Sequence, residues 1–191
     1  MNLSHLPKGS GSDWGFIPPV DDIFDVFKQC RRKWNPKNVL EIGFLYGHST
    51  TYLLELLTEG KVVSVSPGDE SSLSYDGARR RQEMYVTMKE KYADRWEWIP
   101  ERTISSWTAL SKHAPFDFAL VDGSHQEKNV SIDLMTCKHF NINTVLIDNL
   151  EHTQVLSAIP AEDWRIILAR PYVSDQNNTL SIIGILERIN A

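Results

Sequence analysis

Three short stretches of this 191-residue chain hold residue types able to do chemistry together. The first, "VLEIGFLYGHST", runs from Val39 through the carboxylate of Glu41 to Gly43 and Gly47 and on to hydroxyls that include Ser49 and Thr50. The second, "FALVDGSHQ", carries Asp122 and, three residues on, His125. The third, "TVLIDNLEH", carries Asp148 and Asn149. Glycines after an apolar run permit a tight turn and the close approach of a ligand. The backbone N–H groups that open a following helix then face an anionic group. A triphosphate loop needs G-x-x-x-x-G-K-[ST], but here the glycines stand one residue closer and His48 takes the place of the lysine. A dinucleotide turn needs G-x-G-x-x-G, and Phe44-Leu45-Tyr46 supply no middle glycine. What remains is E-x-G-x-x-x-G-x-S. Asp122, Asp148 and Asn149 offer two carboxylates and an amide oxygen, a hard-oxygen set suited to Mg²⁺ with water and substrate oxygens completing an octahedron.

Those residues need strands to bring them together. Apolar residues Ile23, Phe24, Phe27 and Cys30 recur at helical spacing from Val20, and Pro36 marks the end of that helix. "NVLEI" reads as a buried strand, "STTYLLELL" as a helix closed by Gly60, and "KVVSV" as a second strand. A polar loop, "SPGDESSLSYDG", precedes a helix from about Ala78 to Tyr92 that carries Met84, Tyr85, Met88 and Tyr92 on one face. "RWEWI", "FDFALVD" and "NTVLIDN" supply strands three to five, with a short helix over Ile104–Lys112 and a longer one, "QEKNVSIDLMTCKHF", between them. "WRIILAR" and "LSIIGILERI" read as a terminal pair joined by the turn residues of "VSDQNNT". Continuous apolar strands alternating with helices imply an α/β domain whose mainly parallel sheet is covered on both faces. In such sheets ligands sit at the carboxyl ends of the strands, where Asp122, Asp148 and Asn149 converge beside the glycine turn.

The length fits one domain, residues 20–191, preceded by an irregular Gly-, Ser- and Pro-rich arm, residues 1–19, that Trp14 and Phe16 could anchor. A net charge of −5 argues against bulk electrostatic binding of nucleic acid. No apolar run approaches a membrane span, and the N-terminus lacks the apolar core of a signal peptide. Cys30 and Cys137 read as buried free thiols, which makes the cytoplasm the default location. Arg79–Arg81 reads as a solvated helix face, and His48, His113, His139 and His152 as ordinary solvated histidines, His152 being the one close to the site.

The E-x-G-x-x-x-G-x-S turn resembles the first motif of the class I S-adenosylmethionine-dependent methyltransferases, especially their O-methyltransferase branch. The Asp–Asp–Asn set is similar to the metal site of the cation-dependent members, such as the catechol O-methyltransferases. The D-G-x-H variant is more similar to the bacterial sugar and natural-product O-methyltransferases. The resemblance implies a Rossmann-like, doubly wound sheet of seven strands in the order 3-2-1-4-5-7-6, with strand seven antiparallel. It places Glu41 and the backbone around Gly43 and Gly47 by the methionine part of S-adenosyl-L-methionine, with Ser49 on the cofactor carboxylate. By the same resemblance Asp122, Asp148 and Asn149 hold Mg²⁺ or a similar divalent cation, Asp122 also borders the cofactor, and His125 is the general base. The segment after strand three, with Arg102 and Thr103, borders the adenine pocket. Members of the class usually end strand two with an acid that holds the ribose hydroxyls. Ser66 stands there, and Asp69 or Glu70 would have to reach back.

The expected activity is therefore Mg²⁺-dependent methylation of a hydroxyl on a small molecule, a sugar or a secondary metabolite, with homo-oligomerisation left open. Other readings stand beside it. The glycines also suit a plain strand-to-helix turn, and an aspartate at a strand end also suits a cap. Ser66 equally suits a non-catalytic relative that binds a regulatory partner, and the Asp–Asp–Asn set suits a metal enzyme of another reaction.

Overall fold

The computed structural model describes residues 21–68, 75–174 and 179–189. Helix α1 (Asp21–Trp34) buries Val26, Phe27 and Cys30 and closes on the basic turn Arg31–Lys33. Five short strands follow: β1 (Asn38–Ile42), β2 (Lys61–Val65), β3 (Trp96–Ile99), β4 (Phe118–Val121) and β5 (Thr144–Ile147). All five pair in parallel. Two long strands, β6 (Trp164–Ser174) and β7 (Thr179–Arg188), complete the sheet, with β7 antiparallel to both β5 and β6. The order is β3-β2-β1-β4-β5-β7-β6, as the resemblance to the class I methyltransferases implies.

The parallel strands read as near-continuous apolar runs because both of their faces are covered. Val39, Phe118, Leu120 and Leu146 face one core, with α1, α2 (His48–Leu56) and α3 (Tyr75–Tyr92). Leu40, Ile42, Ala119, Val121, Val145 and Ile147 face the other, with α4 (Trp107–Leu110), α5 (Glu127–His139) and α6 (Thr153–Ser157). By this two-residue alternation, Glu41 on β1 belongs to the first face.

Several element boundaries and one element differ from the sequence reading, and β6 runs on past Arg170 to Ser174. Helix α2 ends at Leu56 because Leu57 is extended (φ −81°, ψ 109°), so Gly60 does not close it. Helix α3 begins at Tyr75, before Ala78. The expected Ile104–Lys112 helix is split into a 3-10 turn over Thr103–Ser105 and the single turn of α4. Helix α6, only five residues long, carries too little pattern to be foreseen. The arm with Trp14 and Phe16, and the turn within "VSDQNNT" at 175–178, lie outside the described residues.

Two side-chain expectations are also corrected. Arg79 is exposed and pairs with Glu83 at 3.0 Å, but Arg81 is only 7 % exposed and donates from Nη1 to the Pro67 carbonyl at 3.0 Å. Two residues along a helix is more than half a turn, so Arg81 falls on the buried side with Met84 and Met88, three and seven residues on. His48 is likewise buried, because the first turn of α2 is packed inside the fold. Burial alone pushes its imidazole down to about 4, so it is neutral at ordinary pH.

Candidate active site

The ladder runs one residue past the strand ends and gathers the predicted residues. Gly43 N–H donates to the Val65 carbonyl at 2.9 Å, Asp122 N–H to the Ile42 carbonyl at 2.8 Å, and Asp148 N–H to the Val121 carbonyl at 3.1 Å. Gly43, Asp122 and Asp148 therefore stand level across β1, β4 and β5, and Glu41, two residues back on β1, completes a row of carboxylates whose charges act on their neighbours. The turn that makes this register fit needs glycine. Gly43 has φ 113°, and a Cβ there would stand 1.9 Å from the Asp122 carbonyl oxygen. Gly47, at φ 69°, precedes α2 directly, and a Cβ there would meet the Phe44 ring at 2.7 Å. Both glycines thus have reasons inside the protein as well as toward a ligand.

Glu41 is fully buried and is met by hydroxyls rather than by a cation. Ser49 Oγ donates to Oε1 at 2.8 Å, Thr50 Oγ1 donates to Oε2 at 2.6 Å, and Ser64 Oγ also donates to Oε2. Trp96 Nε1 donates to Ser64 Oγ at 2.9 Å and so fixes the third hydroxyl. Burial raises the Glu41 pKa, and the three hydroxyls work against that rise. Ser49, expected on a cofactor carboxylate, is engaged here with Glu41.

Asp122 and Asp148 are buried next in the row. Burial, then the charge of Glu41, holds Asp122 well above the usual carboxylate range. Burial, then the charge of Asp122, pushes Asp148 up to about 8, while the Asn149 backbone N–H and the Tyr172 hydroxyl oppose the rise. Among the described residues no Lys or Arg pairs with any of the three. Three desolvated carboxylates without a basic partner favour a positive charge from outside the chain.

The donor set of Asp122, Asp148 and Asn149 suits a divalent cation by this chemistry. Asn149 is in the left-handed region (φ 60°) and its amide Nδ2 donates to Glu151 Oε1 at 3.2 Å, so Oδ1 is the atom for a cation. Among the described residues no three His, Cys, Asp or Glu side chains gather as a metal shell. The predicted set contains only two such residues, Asp122 and Asp148.

His125 joins the row to a cleft. Its Nε2 is buried, faces Asp122 Oδ1 at 3.8 Å, and has no hydrogen-bond partner. About a third of its side chain is exposed, and it borders a cleft of about 630 Å³ together with Gln126, Glu151, His152 and Gln154. His152 sets its ring edge-on to that of His125, with centroids 5.3 Å apart, so it belongs to the cleft wall.

The residues expected at the nucleoside end are occupied within the protein. Ser66 Oγ donates to the Phe44 carbonyl at 3.0 Å and accepts from Trp98 Nε1 at 3.2 Å. Asp69 and Glu70 lie outside the described residues. Thr103 gives its hydroxyl to Asp133 on α5. Asp133 is buried, which pushes its carboxyl up to about 7, the Thr103 bond acting against the rise.

Sequence reasoning missed Ser64, Asp133 and Tyr172. Ser64 was visible as a hydroxyl inside an apolar strand, and Asp133 as a carboxylate within the apolar stripe of α5. Tyr172 reaches Asp148 from β6 across β7, and no local pattern signals that.

Comparison with known proteins agrees with this geometry. A family model described as a methyltransferase domain matches residues 40–150, more than half of the chain. No curated protein matches it. An O-methyltransferase from Bacillus cereus, solved in complex with SAH, superposes with a TM-score of 0.64 at 18 % identity, covering 96 % of this chain and 85 % of its own. The O-methyltransferase TomG from Streptomyces achromogenes, described as involved in tomaymycin synthesis and solved with SAM, superposes with a TM-score of 0.65 at 17 % identity, covering 91 % and 82 %. At such identities the likeness is one of fold, and the family match covers the glycine turn and all three carboxylates. The chain belongs to the methyltransferase-domain family and has the sheet of the class I, S-adenosylmethionine-dependent enzymes.

Proposed function

We propose that this chain is a cytoplasmic O-methyltransferase that uses S-adenosylmethionine and Mg²⁺ to methylate a hydroxyl on a small molecule. We assign the activity to one domain, residues 20–191. The observation that carries the reading is the row Glu41–Asp122–Asp148, which ends at His125 on the wall of the polar cleft. S-Adenosylmethionine, when bound, supplies a methyl group on a sulfonium and is itself a cation, the charge such a row favours. Glu41, the Gly43–Gly47 turn and the first N–H groups of α2 are the residues to hold its methionine end. A divalent cation held by Asp122, Asp148 and Asn149 would lower the pKa of the acceptor hydroxyl.

The chain's own residues manage the proton. His125 Nε2 is buried against Asp122, so Nδ1 is the ring nitrogen for a hydroxyl in the cleft. With the cofactor bound, the acceptor would give its proton to Nδ1 as its oxygen takes the methyl group, the sulfonium C–S bond breaking to leave neutral S-adenosylhomocysteine, and Asp122 would face the imidazolium that results. Wall and row together hold the acceptor oxygen in line, which supplies much of the rate. Free buried thiols at Cys30 and Cys137 support a reducing location, and the acidic net charge supports a small-molecule acceptor over a nucleic acid. No described helix is long and apolar enough to cross a membrane.

The test is transfer of a labelled methyl group from S-adenosylmethionine to a panel of hydroxylated acceptors. EDTA should abolish transfer and added Mg²⁺ restore it, and Asp148→Ala should behave as the EDTA-treated enzyme does. Transfer that ignores EDTA and survives Asp148→Ala would remove the cation from the mechanism.

A further inference from the structure

Tyr172 meets Asp148 in an unusual way. Its hydroxyl oxygen lies 2.9 Å from Oδ1 and 2.9 Å from Oδ2. One phenol proton is shared between the two oxygens, so the hydroxyl stands on the edge between them. That edge is where a cation chelated by both oxygens of a carboxylate would stand.

The hydroxyl is not free to leave. The Tyr172 ring is only 4 % exposed and packs in the core with Ile183 and Ile185 of β7. Tyr172 sits opposite Ser181 in the β6–β7 register, and the Ser181 side chain hydrogen-bonds the phenol. Swinging the ring away would strand a buried donor without a partner.

We propose that Tyr172 keeps this edge closed, so that Asp148 offers a cation one oxygen only, and that this selects a small octahedral cation such as Mg²⁺ over Ca²⁺. Ca²⁺ takes six to eight oxygens and readily uses both oxygens of a carboxylate. Mg²⁺ keeps a strict octahedron of single oxygens and retained waters. Closing the edge removes a ligand that Ca²⁺ would use and Mg²⁺ would not. The inference rests on the reading of Asp122, Asp148 and Asn149 as cation ligands. Tyr172 is on this view a positioning residue, acting through Asp148.

Calorimetric titration of the full chain with MgCl₂ and, separately, CaCl₂ tests it in the wild type, Tyr172→Phe, Ser181→Ala and Asp148→Ala. Tyr172→Phe keeps the packed ring and removes only the hydroxyl. It should shift the ratio of Ca²⁺ to Mg²⁺ affinities toward Ca²⁺ by about tenfold, the weight of one hydrogen bond to a charged group. Ser181→Ala should shift the ratio the same way by less, and decides the matter if Tyr172→Phe does not fold. An unchanged ratio, with both cations lost in Asp148→Ala, would overturn the role of Tyr172 and leave the ligand set standing. Wild-type Mg²⁺ binding in Asp148→Ala, or no cation binding by the wild type, would overturn the ligand set and this inference with it.

Discussion

At the scale of single residues, the site is organised around carboxylates largely shielded from water. Glu41 is satisfied by hydroxyls, Asp148 by one phenol and one backbone N–H, and Asp122 faces the unpaired Nε2 of His125. His125→Ala should lower kcat by about 10²–10⁴-fold, the usual weight of a general base. S-Adenosylmethionine affinity should stay within a factor of two or so, because the imidazole touches the acceptor side of the row. Equal losses in kcat and in cofactor affinity would place His125 in the cofactor pocket instead.

Asp133 gives a cleaner electrostatic test, since it is not one of the proposed cation ligands. Its carboxyl is raised from 3.8 to about 7 in the folded protein. Such a group favours folding fully below the unfolded value, and that benefit is lost as pH rises through the folded value. Asp133→Asn keeps an oxygen for the Thr103 hydroxyl and removes the titration. The variant should match the wild type near pH 4, gain on it as pH rises to about 7, and hold a constant advantage of about 4 kcal/mol above that. Denaturant melts across that range would show it. An advantage that is the same at every pH would mean that Asp133 does not titrate as described.

At the scale of elements, alternation of apolar strands with helices was enough to give a mainly parallel sheet covered on both faces, and the resemblance to the class I methyltransferases supplied the order of its strands. Asp122 and Asp148 could be placed side by side, next to the glycine turn, from sequence because each follows an apolar run in a parallel sheet, whereas Glu41 lies inside its strand and was placed by the resemblance alone. What stayed hidden depends on register and burial. Tyr172 needs the β6–β7 pairing and the antiparallel seat of β7 beside β5. His48 and Arg81 sit at positions whose polarity suggests solvent, and only the packing of α2 and α3 puts them inside. The glycine turn was visible as a pattern, but its steric reason was not, because the Cβ conflict is with a carbonyl of another strand. Gly43→Ala should therefore cost about 3 kcal/mol or more in stability, through positive φ and direct overlap with Asp122. A melting point within a degree or two of the wild type would show that the β1–β4 register is softer than the structure implies.

At the scale of the whole molecule, a chain of net charge −5 concentrates three buried carboxylates at one end of its sheet. Burying like charges together is unfavourable unless something positive joins them, so stability and ligand binding are linked. Ligands that bring positive charge to the row should raise the melting temperature, and neutral analogues of the same shape should raise it less. Ser66, where an acid is usual, makes cofactor binding the step on which the account stands or falls. The most direct measurement is calorimetric titration of the purified chain with S-adenosylmethionine. The account predicts saturable binding in the micromolar range. A sample that melts cooperatively yet takes up no S-adenosylmethionine would contradict it, and would point to a methyltransferase fold kept for binding another partner.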